Sequence, residues 1–308
     1  MPLFIEGDRV KSVNIDNFFA KFPAFKDSSM PYLQKSPKVI EPRGLLYIGQ
    51  REIGGTSPKD PAISILGSED ATTCHIAILR HTGSGATSLI HFDGCCVRQG
   101  LDSMVKIVKD LTEDMSTGRL EMHLFGGFSD ERKNSHKVSN DIFRALSDCQ
   151  HNIYLVTACI INYNTVYKKD NKPFPVIYGV AVNVATGEIF PATFPDKGPD
   201  YDVRCARHFT GSKENLTIYD YRRNELTIGP FQYTKMSQVD MYLSLSDEQL
   251  KRFLSTSPDQ EPEDFVQNVR ASLICIRDCP NPMKTIFHGR PRRYNKDSST
   301  GEWKLIQD

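Results

Sequence analysis

The chain has no stretch apolar enough to cross a membrane: its longest apolar run, 153–161, is interrupted by Thr157. It has no excess of either charge, with 38 basic and 38 acidic residues. That balance argues against non-specific binding to nucleic acid or to an anionic membrane. The first 30 residues carry only the short apolar groups Leu3-Phe4-Ile5 and Phe18-Phe19-Ala20, too little for a secretory signal. Neither a Walker nor a Rossmann glycine pattern is present, so no nucleotide cofactor is expected. The eight cysteines fall at irregular intervals with no paired CxxC modules, so no zinc site is expected.

What is present is an ordinary globular composition over 308 residues, 39% hydrophobic and 25% charged, long enough to bury a sizeable core. We expect one domain over 1–308, reduced thiols, and residence in cytoplasm and nucleus. Pro2 predicts removal of Met1. The first 40 residues read as a loosely patterned lead-in with a short helix over 14–21. Short β-like runs follow at 45–48, 62–66, 75–79 and 88–92, parted by Gly54-Gly55, Pro58, Gly67-Ser68 and Gly83-Ser84-Gly85.

The apolar spacing predicts helices over 101–112, 137–146 and 265–276. Strands are expected over 120–125, 154–161 and 176–184, and over 189–194, where Pro191 implies an edge. Leu216 to Ile228 reads as a hairpin, 255–263 as a linker rich in Pro, Asp and Glu, and the residues from about 290 as a polar tail. The pattern implies an α+β fold in which largely antiparallel sheets are flanked by helices.

The chemistry concentrates in 63–94. Cys74 enters a strand after a loop of small and acidic residues, and His91 lies near the end of the next strand. The glycine-rich turn between them can fold the imidazole back beside the thiol. A free thiol has a pKa of about 8.5 and is mostly protonated at neutral pH. An adjacent imidazolium stabilises the thiolate and can then protonate a departing amine. Ser68 is the candidate to orient the ring, with Thr72 and Thr73 as neighbours of the same chemistry. On spacing alone, a buried strand cysteine beside a surface histidine fits better than a catalytic pair. His75 adjoins Cys74 but alternates to the opposite face of the strand. His81 lies in the turn, His123 alternates in the strand over 120–125, and His136, His151, His208 and His288 have no local ligand-like partner.

Longer segments decide between these readings. Thr56-Ser57-Pro58-Lys59-Asp60, residues 63–76, Leu79-Arg80-His81-Thr82-Gly83, Gly126-Gly127-Phe128-Ser129-Asp130, Phe174-Pro175-Val176-Ile177-Tyr178-Gly179 and Leu254-Ser255-Thr256-Ser257-Pro258 are collinear with the protein N-terminal asparagine amidohydrolase family. The chain resembles that family along its whole length. The family is similar to cysteine hydrolases that include bacterial chemoreceptor glutamine deamidases and the cytotoxic necrotizing toxins.

The resemblance implies an α-β-β sandwich and a Cys-His-Ser/Thr triad. By position, Cys74 matches the nucleophile, His91 the histidine and Ser68 the hydroxyl member. The implied activity converts N-terminal asparagine to aspartate, without cofactor or metal, and commits the product to degradation. The expected partners are proteins or peptides with a free N-terminal Asn, met by a monomer. Backbone N–H groups near Thr73 and Cys74 are candidates for an oxyanion site. Glu69, Asp70 and Asp93 are candidates for the substrate's α-ammonium. A deamidase of internal glutamine, a thiol peptidase and a non-catalytic module that binds N-terminal residues are the competing readings.

Overall fold

The computed structural model describes residues 3–307; the expected loss of Met1 lies outside them. Its largest sheet has eight strands in the order Leu216–Thr217, Glu52–Thr56, Thr87–Phe92, His75–His81, Leu120–Gly126, Ile153–Ile160, Leu3–Ile5 and Asp8–Val10. The expected hairpin is at its centre, with His75–His81 antiparallel to Thr87–Phe92 and Ile76 opposite His91. A second sheet runs Lys38–Val39, Ile189–Thr193, Val180–Asn183, Ile65–Ser68 and Leu45–Tyr47.

Side-chain alternation builds three layers. Ala77, Leu79, Ile90 and Phe92 face the helices Val97–Asp110 and Asn134–Asp148, meeting Leu101, Met104, Ile142 and Leu146. Ile76, Ile78 and Leu89 face the second sheet, meeting Leu66, Val180 and Val182. The result is a helix layer, a large sheet and a smaller sheet, the implied α-β-β sandwich.

The sheets are mixed rather than largely antiparallel. In the large one, Leu120–Gly126 runs parallel to Ile153–Ile160, which runs parallel to Leu3–Ile5. Leu216–Thr217 adds a parallel edge beside Glu52–Thr56. The cause is the pair of long helices. Asn134–Asp148 returns the chain to start a strand in the same direction as the one it left, as a crossover connection must. Separations of this length leave no trace in local periodicity.

Other boundaries also differ from expectation. Of the strand expected over 176–184 only Val180–Asn183 forms, and Pro173–Pro175 just before it pairs with Thr165–Tyr167 in a separate sheet. Pro191 lies within an interior strand, but Lys38–Val39 pairs only with Ala192 and Thr193, past the proline. The expected hairpin is divided: Leu216–Thr217 joins the large sheet, while Tyr219–Asp220 pairs with Glu225–Ile228. The tail is not a loose polar segment. Arg292–Lys296 pairs with Glu225–Ile228, Tyr294 is buried, and Arg292 pairs with Asp200 at 2.6 Å. Leu250, Val269, Leu273 and Ile276, from two late helices, form a further core with Ala206 of Tyr201–Phe209.

Candidate active site

Cys74 is the residue just before the strand His75–His81, and its parity with Ile76 turns it toward the second sheet. Two glycines hold its main chain. Gly127 N–H donates to the Cys74 carbonyl at 2.8 Å, and Asn164 Nδ2 donates to the Gly127 carbonyl at 2.8 Å. Gly126 and Gly127 have φ of 100° and 60°, in the left-handed region that favours glycine. A Cβ on Gly126 would stand 2.7 Å from the Cys74 carbonyl oxygen. The Gly126-Gly127 pair is therefore part of the seat of this cysteine.

His91 shares that face of the large sheet, and Ser68 reaches it from the second sheet. Ser68 Oγ lies 2.9 Å from His91 Nδ1, with both residues buried. His91 Nε2 is buried and takes no hydrogen-bond partner among the described residues. With Nδ1–H donating to Ser68, the lone pair on Nε2 is left for a proton from elsewhere. Of the alternative hydroxyls, Thr73 Oγ1 is spent on Thr256 Oγ1 at 2.9 Å. Nothing recorded joins Thr72 to the ring. His75 goes to the far face, where its Nε2 meets Ser139 Oγ at 2.7 Å under a helix.

Cys74 and His91 share the wall of a cavity of about 480 Å³. Burial, reinforced by the charges of Asp93 and Glu261, holds the Cys74 thiol well above its ordinary range, with Arg51 opposing. Burial pulls the His91 imidazole down to about 4, against the pull of Asp93 and Glu52. Both shifts favour the uncharged forms. Burial thus favours a neutral thiol and a neutral imidazole, whereas the sequence reading expects an imidazolium-stabilised thiolate. Desolvation by two packed sheets is the reason, and residue spacing does not reveal it.

The other expected residues lie around the same cavity. Asp93 accepts from Arg51 Nε, from Gln50 Nε2 at 2.9 Å and from the Cys95 N–H at 2.9 Å. Burial disfavours its charge, but Arg51 and these donors together hold the carboxyl below its usual range. Asp70 and Glu69 share Lys197 Nζ, at 2.7 and 3.2 Å. Neither the Thr73 nor the Cys74 N–H has a hydrogen-bond partner recorded among the described residues. A helix clamps the loop ahead of Glu52–Thr56: Arg204 grips Glu52 at 2.6 and 2.9 Å, and His208 donates to the Gln50 carbonyl at 2.8 Å.

Sequence reasoning missed the roof. Residues 253–265, expected in part as a linker, cover the cavity with Phe253, Leu254, Ser255, Glu261, Pro262 and Phe265. The signal in the sequence is the Leu254-Ser255-Thr256-Ser257-Pro258 segment, a family match that lies beside the Pro-, Asp- and Glu-rich stretch.

A sequence model described as "Protein N-terminal asparagine amidohydrolase" matches residues 35–305. The chain belongs to this family. It is 40% identical over 307 residues to the protein N-terminal asparagine amidohydrolases of Sus scrofa and Homo sapiens, covering 99% of this chain and 98% of each relative. The protein N-terminal asparagine amidohydrolase of Arabidopsis thaliana is 28% identical over 284 residues, covering 84% of this chain and 80% of the relative. The matched region contains Cys74, His91 and Ser68, as well as the cavity roof.

Proposed function

We propose that this member of the amidohydrolase family hydrolyses the side-chain amide of an N-terminal asparagine at Cys74, through a thioester. The observation that carries the reading is the buried Ser68–His91 hydrogen bond, with the unpartnered Nε2 in a cavity that also holds Cys74.

In the reading, His91 Nε2 accepts the thiol proton as the Cys74 sulfur bonds to the amide carbon. The resulting imidazolium gives that proton to the amide nitrogen, the C–N bond breaks, and ammonia leaves a thioester. Water then attacks the thioester carbon while His91 accepts a proton from it. The C–S bond breaks, the proton returns to sulfur, and aspartate is released. Ser68 acts as a positioning residue that keeps the ring's tautomer and angle. The Thr73 and Cys74 N–H groups serve the oxyanion, a contribution of about 3 kcal/mol per donor in comparable sites. Asp70 and Asp93, each held by a cation, shape the polar wall that the substrate's terminus enters.

The substrates in this reading are proteins or peptides with a free N-terminal Asn, and the aspartate formed marks them for degradation. The enzyme is read as a single-domain monomer of cytoplasm and nucleus. Among the described residues no helix is long and apolar enough to cross a membrane.

Mass spectrometry of an Asn-leading peptide tests the nucleophile. Wild type adds about 1 Da, Cys74→Ala does not, and an N-acetylated peptide stays unchanged with both. Undiminished turnover by Cys74→Ala would overturn the assignment.

A further inference from the structure

Acting only on the first residue of a chain requires a group that senses a free α-ammonium, and a carboxylate is its natural partner. Four carboxyl side chains line the cavity: Glu69, Asp70, Asp93 and Glu261. Three are already committed. Asp93 is paired with Arg51. Glu69 and Asp70, with Asp264 at 3.6 Å, share the ammonium of Lys197, whose side chain is itself largely buried.

Glu261 is different. Its Oε1 accepts from the Ser255 hydroxyl, and no Lys, Arg or His among the described residues comes within ion-pair distance. The nearby Lys251 directs its ammonium at the Glu261 main-chain carbonyl, 3.3 Å away. Glu261 lines the same cavity as Cys74, and its charge adds to the rise of that thiol. Leaving a half-buried carboxylate without a cation costs free energy unless a ligand supplies one. Burial accordingly pushes the Glu261 carboxyl up to about 7, with Asp70 adding to the rise and the Ser255 hydroxyl and the charge of Lys251 only partly opposing it.

We propose that Glu261 receives the α-ammonium of the substrate's N-terminal residue and is the carboxylate that restricts hydrolysis to free N-termini. This rests on the cavity being the hydrolytic site proposed above. An acetylated terminus, or an asparagine within a chain, brings no charge and leaves Glu261 desolvated without a partner. Such substrates are then rejected by the cost of an unpaired buried group rather than by shape.

The test compares two peptides with the same side-chain amide. One begins with Asn; the other begins with a succinamoyl group, which lacks only the α-amine. Single-turnover kcat/KM is measured with wild type, Glu261→Gln and Glu261→Asp. Wild type should prefer the Asn peptide. Glu261→Gln should lower kcat/KM for that peptide by about 30- to 1000-fold, as expected on truncating one side of a buried charge pair, mostly through KM. The desamino peptide should change by less than about twofold, which also shows that the variant is folded. Glu261→Asp should recover at least about tenfold of the loss.

Equal losses on both peptides, no loss on the Asn peptide, or no preference by wild type would overturn the proposal. Activity surviving in Cys74→Ala would be a separate result, against the nucleophile and not against the ammonium pair.

Discussion

The charge state of the Cys74–His91 pair can be read directly from the pH dependence of thiol alkylation. With the imidazole drawn down to about 4 and the thiol raised, the free-energy order of the two states follows from arithmetic. Even if the thiol stood at the ordinary value of about 8.5, moving its proton to such an imidazole would be disfavoured by about four to five powers of ten. Even unit charges as close as about 4 Å, at an effective dielectric constant of about 20, would recover only about 4 kcal/mol, or three powers of ten. The neutral pair therefore remains in excess by at least about tenfold. Iodoacetamide should alkylate Cys74 with a rate that rises steadily from pH 5 to 9, close to tenfold per unit. The reaction is followed by peptide mapping, because Cys96 is exposed and reacts independently. A plateau between pH 5 and 8 would mean a preformed thiolate–imidazolium pair and would refute the neutral resting state.

Two further outcomes follow from the same geometry. Ser68→Ala removes the hydrogen bond to Nδ1 in a fully buried setting; kcat should fall about 10- to 100-fold with KM nearly unchanged, a split that steady-state kinetics resolves. An equal rise in KM would point instead to a collapsed pocket. Lys197→Met leaves Glu69 and Asp70 facing each other without their cation and should destabilise the fold by about 3 kcal/mol at pH 8. Glu69 already titrates near 7, chiefly because of burial, so an acid in this position is neutral and costs least below its unfolded value of about 4.5. The loss of stability in Lys197→Met should therefore grow as pH rises from 5 to 8; denaturant melts showing a constant deficit would contradict this.

The legible parts of the fold were those whose cause is local. The alternation at 75–79 and 88–92, together with the Gly83 to Gly85 turn, marked the central hairpin and so placed His91. The apolar stripes at 101–112 and 137–146 marked the helices that cover it, within a few residues of Val97–Asp110 and Asn134–Asp148. Position shortly before Cys74 and the family resemblance both point to Ser68, but only the stacking of the second sheet brings it within 2.9 Å of the ring. Parallel pairings such as that of Leu3–Ile5 with Ile153–Ile160 join segments about 150 residues apart, which no window along the chain can connect. Glu261 was hidden for a similar reason. A stretch rich in Pro, Asp and Glu has the composition of a solvated linker until a facing surface turns it inward.

The Thr73–Thr256 hydroxyl contact joins a floor laid down early in the chain to a roof supplied more than 180 residues later. In the proposed reading, the bond-breaking groups and the carboxylate that inspects what enters are thus written on separate stretches of the gene. Mutation can revise admission to the pocket without rewriting the reaction. The roof is the place where a lineage with this fold could exchange one class of amide for another while inheriting its nucleophile intact.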